Sequence, residues 1–198
     1  MEGFKTFGLY DMGEVKVKDR ALVPYLNLEP KIVAKSQGRY TKRFGSANVH
    51  ILERLANRIG VPGHVGKKHK IITNWATGAY ANNMKIVLDT MEIIQNKKKE
   101  NPVQVLVNAI ENASPRDEIT TIEYGGARYP QAVDVSPIRR ISITLKWIVQ
   151  GAYQKSFGKK KKMSESLANE IMLAADGNME SYAMGKKNEA EKQADAAR

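Results

Sequence analysis

Two helix starts of the same design, Asn101-Pro102 and Ser136-Pro137, bracket a stretch of this 198-residue chain whose apolar period is not helical. In each, a capping residue precedes a proline whose fixed φ and missing N–H suit the first turn of a helix. After the first, Val103, Leu106, Val107 and Ile110 share one face, and Ser114-Pro115 stops the run. After the second, Ile138, Ile141, Leu145, Ile148, Val149 and Ala152 line one face to about Tyr153. Between them, Ile119-Thr120-Thr121-Ile122-Glu123-Tyr124 is β-branched and aromatic, and Gly125-Gly126 can supply the positive φ of a tight turn. The return strand contains Pro130, which cannot donate to a central ladder. The pattern predicts a β-hairpin at about 117–135 set between two helices. Such a ribbon is marginal alone and must lean on the helices or on a partner. Arg128 and Tyr129 sit just past its tip, shaped to reach outward.

Other helices follow from the same signals. Asn48 is read as the cap of a helix carrying Val49, Leu52, Leu55 and Ile59, ended by Gly60-Val61-Pro62-Gly63. Residues 79–96 carry a stripe of Met84, Val87, Leu88, Met91 and Ile94, and Ser164 is read as the cap of a helix stopped by Gly177. The expected fold is mainly α: a helical bundle with a protruding β-hairpin and an extended basic N-terminal arm. The expected division is an arm over 1–48, a helical domain over 49–177, and a charged helix or tail over 178–198.

Charge points to the partner. The chain carries +11, and residues 31–70 hold ten of the cations: Lys31, Lys35, Arg39, Lys42, Arg43, Arg54, Arg58, Lys67, Lys68 and Lys70. Glu53 is the one acid in those forty residues. A segment this basic repels itself unless an anion faces it, and phosphate is the anion that Lys and Arg neutralise most effectively. Within it, Tyr40 and Phe44 interleave with Arg39, Lys42 and Arg43 between two glycines. Those rings either stack on unpaired bases or pin a surface loop to the core. Lys97-Lys98-Lys99 reads as a solvated connection. The denser run Lys159-Lys160-Lys161-Lys162 reads as a further RNA contact. Arg139, Lys146 and Gln150 line a face apart from the apolar stripe, with Arg140 further round.

Catalytic and metal chemistry find no support. There is no cysteine, and His50, His64 and His69 lack the helical i, i+4 spacing of a metal pair. Gly66-Lys67-Lys68 has Lys where a phosphate loop needs Ser or Thr, and no nucleophile elbow, dinucleotide fingerprint or cofactor motif occurs. No apolar run approaches the roughly 20 residues of a membrane span, and no signal peptide is read, so a soluble intracellular protein is expected. A DNA-binding basic protein is the competing reading. It needs a recognition helix, whereas the basic density here lies in an arm and loops. An RNA-modifying enzyme is a more remote one.

Several runs resemble the universal small-subunit ribosomal protein seven family. They are 36–44 (Ser-Gln-Gly-Arg-Tyr-Thr-Lys-Arg-Phe), 48–55, 66–70, 101–112 and 129–140, in that order along the chain. The tail around Ser181-Tyr182-Ala183 fits the archaeal and eukaryotic branch. The resemblance implies binding to the 3′ major (head) domain of small-subunit rRNA and nucleation of head assembly. It implies a place near the exit-site tRNA and the mRNA path, with neighbouring proteins of the head and platform as partners. It carries RNA contact onto Arg39, Lys42, Arg43, Lys67, Lys68, Lys70, Arg128, Arg139 and Arg140; Lys31, Lys35, Tyr40, Lys146, Lys159 and Lys160 join them from the charge pattern. The chain departs from the family at Ala34-Lys35, at Gly185 and over 73–82. The basic part of the arm, 31–44, is expected to order only on binding RNA.

Overall fold

The computed structural model describes residues 5–65 and 71–198 in full, and residue 70 by its backbone. Among these are six α-helices: α1 (Ile51–Gly60), α2 (Tyr80–Lys98), α3 (Pro102–Ala113), α4 (Pro137–Ser156), α5 (Met163–Ala175) and α6 (Tyr182–Asp195). A short ribbon, β1 (His64–Val65) with β2 (Lys70–Ile71), follows α1. The hairpin β3 (Asp117–Tyr124) and β4 (Ala127–Asp134) separates α3 from α4. Helix α5 lies centrally against α2, α3 and α4, and α1 packs on α2 and α4.

Local chemistry explains most of the boundaries. Asn101 Oδ1 accepts from the Val103 N–H at 3.0 Å, and Pro102 opens α3, as the sequence predicts. Ser136-Pro137 opens α4 through the proline alone, because the Ser136 side chain makes no capping bond. Both Gly125 (φ +59°) and Gly126 (φ +82°) are left-handed, the requirement of a two-residue hairpin turn whose twist matches its strands. Gly177 (φ +69°) ends α5: its N–H bonds the Ala174 carbonyl, and the Asn178 N–H bonds that of Leu173.

Two predicted caps move. Gly45–Asn48 forms a 3-10 turn, and α1 starts at Ile51, capped by His50, whose Nδ1 accepts from the Leu52 N–H at 3.2 Å. An accepting Nδ1 needs neutral imidazole, and burial, reinforced by the Lys31 charge, lowers the His50 pKa to about 4. Helix α5 starts one residue before Ser164, which is buried.

The N-terminal stretch lacks long elements, yet its first part is not free. Tyr10, Met12, Leu22 and Leu26 are buried in the common core with Leu55, Met91, Leu106, Ile110, Ile148 and Ile171. Backbone N–H groups of Lys16, Lys18 and Asp19 donate to Gln104 Oε1 and Glu111 Oε1 on α3. The charged C-terminus is a docked helix. Ser181 caps α6, and Ala183 and Ala194 are buried. The fully buried Glu170 accepts from Ser181 Oγ (2.7 Å), the Ala183 N–H (3.2 Å) and Lys155 Nζ (2.6 Å).

Candidate nucleic-acid interface

The basic stretch after Lys31 is held at its start and turned back at its end. Ala34 is buried, and its carbonyl accepts from the Tyr80 hydroxyl. The Ser36 N–H and Oγ both donate to the buried Glu53 carboxylate, at 2.7 and 2.6 Å. The sole acid of the segment is therefore a clamp. Phe44 is left-handed (φ +64°). A Cβ on Gly45 would stand 2.6 Å from the Tyr40 carbonyl oxygen, so only glycine lets the chain fold back there.

Between these fixings, Arg39, Lys42 and Arg43 are exposed, and none makes an ion pair among the described residues. Arg43 lies over the Phe44 ring, 5.1 Å from its centroid, and Lys35 over that of Tyr80 at 5.5 Å. Tyr40 is 40% exposed and Phe44 56%, so both rings stand at the surface beside the cations rather than in the core. Lys31 is only half-buried and pairs with Glu29 at 3.0 Å.

Other predicted residues are placed differently. Arg140 is buried: its Nη2 donates to Asp19 Oδ2 and Ser114 Oγ, each at 2.9 Å. Arg140 is thus held inside by two internal partners rather than presented on an open face, where the sequence places it. Arg54, counted in the basic stretch, is likewise internal. It donates to the Tyr25 carbonyl at 2.9 Å, and burial brings its pKa down to about 10. Arg139 is exposed but forms a two-point bond to Glu118 (Nε 2.6 Å, Nη2 2.8 Å), and Arg128 lies 3.6 Å from its ladder partner Glu123. The hairpin as a whole is acidic, with Asp117, Glu118, Glu123 and Asp134 against Arg128.

A second basic region forms around the end of α4. Trp75 stacks on Phe157 with centroids 3.7 Å apart and planes 7° from parallel, bringing the turn after β2 beside exposed Lys159 and Lys160. Gln150 Nε2 donates to the Pro62 and His64 carbonyls, and Lys146 lies close to Gly63. Trp147 is half-buried against the core. Lys67, Lys68 and the side chain of Lys70 lie outside the described residues.

Cations that the sequence reading did not single out are Lys18, Arg20, Arg116 and Lys187, which meet at one cleft. No contiguous basic run marks them, because they come from three separated segments of the chain, 18–20, 116 and 187. Among the described residues no group of His, Asp or Glu could hold a metal ion, and no helix is long and apolar enough to cross a membrane.

Residues 24–198 match the family model described as ribosomal protein S7p/S5e. The chain is similar to the small ribosomal subunit protein uS7 of Nanoarchaeum equitans, 48% identical over 98% of each chain. It is also similar to uS7 of Methanothermobacter thermautotrophicus, 45% identical over 97% of this chain and 98% of that one. For uS7 of Archaeoglobus fulgidus the figures are 41%, 100% and 96%.

Proposed function

The chain belongs to the ribosomal protein S7p/S5e family, and from that premise we infer that it is a non-enzymatic structural constituent of the small ribosomal subunit. In this reading it binds the 3′ major (head) domain of small-subunit rRNA and nucleates folding of the head. It sits near the exit-site tRNA and the mRNA path, among proteins of the head and platform. The arm over 1–48 anchors it, the helical domain over 49–177 supplies the scaffold and hairpin, and 178–198 closes the bundle.

The observation that carries the RNA assignment is the 36–45 loop. Arg39, Lys42 and Arg43 stand exposed without carboxylate partners, while the one nearby acid, Glu53, is turned inward to hold the loop. Cations placed this way have phosphates as their natural counter-charge, and Tyr40 and Phe44 offer faces to unpaired bases. Lys159 and Lys160 beyond the end of α4, and Lys146 beside Gly63, are further contacts in this reading, and Lys67, Lys68 and Lys70 join them by the family resemblance.

Binding of the full chain to a transcript of an archaeal rRNA head domain, titrated with salt, tests this. Affinity is expected to fall steeply with salt and to exceed that for duplex DNA at physiological ionic strength. Replacing Lys42 and Arg43 by Ala should flatten the log–log salt slope by about one to two. A salt-independent affinity, or equal binding to duplex DNA, overturns it.

A further inference from the structure

We propose that the cleft between the 18–20 bend, the end of α3 and α6 is a second RNA site, which takes backbone phosphates of folded rRNA through Lys18, Arg20, Arg116 and Lys187. It rests on the reading above that the chain binds RNA, and adds a contact surface supplied by other parts of the chain. The cleft has a volume of about 410 Å³.

Its lining carries five cations, Lys18, Arg20, Arg116, Arg140 and Lys187, against two carboxylates, Asp19 and Glu111. Glu111 Oε1 accepts the N–H groups of Lys18 and Asp19 at 2.6 and 2.9 Å. Asp19 is taken up by Arg140 at 2.9 Å and by the Ala21 N–H at 2.9 Å. Lys187 Nζ donates to the Asn112 carbonyl at 2.8 Å, which leaves its charge uncompensated. Lys18, Arg20 and Arg116 are exposed and make no ion pair among the described residues. Arg140, nine-tenths buried, also lines the cleft, and its buried Nε has no hydrogen-bond partner among the described residues.

The lining separates RNA from a protein partner. Every residue around the cleft is charged or polar. A protein docking site draws its energy from an apolar or aromatic anchor seated in a pocket, and this cleft offers none. A phosphate backbone needs only cations and donors, and guanidinium groups such as those of Arg20 and Arg116 match phosphate with paired N–H bonds. Residues 18–20 also precede residue 24, where the family match begins, so this wall lies outside the portion of the family model that the chain matches.

The test uses the full chain and the same rRNA transcript. The triple variant Lys18→Ala, Arg20→Ala, Arg116→Ala should lose about tenfold or more in affinity near physiological salt, with the salt slope flatter by about two to three. Its melting temperature should stay close to that of the parent, since all three side chains are exposed. Unchanged affinity and slope in this variant, while Lys42→Ala, Arg43→Ala weakens binding, overturns the cleft and leaves the main reading standing. Salt-independent binding by the parent chain overturns both. Because the chain has no cysteine, Ala21→Cys gives a unique tether for a hydroxyl-radical probe beside the cleft. Cleavage of the bound transcript is expected, and its absence overturns the proposal without reference to stability. A triple variant that releases an acidic peptide but not RNA does the same.

Discussion

Asp19 reaches Arg140 from the far end of the chain: its Oδ2 lies 2.9 Å from Nη2, tying the N-terminal stretch to the first turn of α4. The Arg140 side chain is 9% exposed and the Asp19 side chain 29%, so the pair is mostly sheltered from water. Removing the carboxylate would leave a buried guanidinium with Ser114 Oγ alone. Asp19→Ala should therefore destabilise the fold by about 1–3 kcal/mol, below the full cost of breaking a buried pair because Asp19 is partly solvated. Urea denaturation measures it.

The same pair gives a dependence on acid. Burial raises the Asp19 pKa, but the Ala21 N–H and the Arg140 and Arg116 charges outweigh it, and the net shift is downward. A carboxyl with a depressed folded pKa stabilises fully above its unfolded value and loses that contribution as pH falls through the folded one. The difference in stability between the parent and Asp19→Ala should thus be constant above about pH 5 and shrink below about pH 4.

His50 titrates in a higher window. Its folded pKa near 4 lies below the ordinary histidine value, so the unfolded chain binds the proton first as pH falls. Stability should be full above about pH 7 and decline by about 2–4 kcal/mol between pH 6.5 and 4. His50→Asn keeps a capping acceptor for α1 without the titration, and should remove most of this decline in a pH series of denaturant melts.

Gly151 sets how closely α6 approaches α4. A Cβ there would stand 2.7 Å from Tyr182 Cβ and 3.1 Å from Glu170 Cδ, both held in place by packing. Gly151→Ala should cost about 1–3 kcal/mol and raise amide exchange in α6 before the rest of the bundle. Uniform exchange across the helices would contradict this.

Glu53→Ala separates charge from geometry. Deleting the sole acid of residues 31–70 raises the net charge, which by itself strengthens RNA binding. It also releases Ser36 and with it the loop that presents Arg39, Lys42 and Arg43. We expect the second effect to win, with affinity for the rRNA transcript falling roughly three- to tenfold because the loop must then be ordered on binding.

The amino-acid sequence by itself determined the elements whose signals are local. Asn101-Pro102, the stripe of Val103, Leu106 and Ile110, the Gly125-Gly126 turn and the Gly177 stop each act within a few residues, and the structure keeps them where the sequence puts them. The basic character of the arm and the family were legible for the same reason, since both reside in contiguous runs. Tertiary structure alone decided which cations are surface and which are scaffold. Arg140 and Arg54 read as surface charges, yet Asp19, Ser114 and Tyr25, all distant in sequence, take them inside. The cleft of Lys18, Arg20, Arg116 and Lys187 is the converse case, assembled from three segments so far apart in sequence that no contiguous run reveals it. A buried charge requires a partner at a particular point in space, and pairing across the fold is a property of packing, not of any window along the chain.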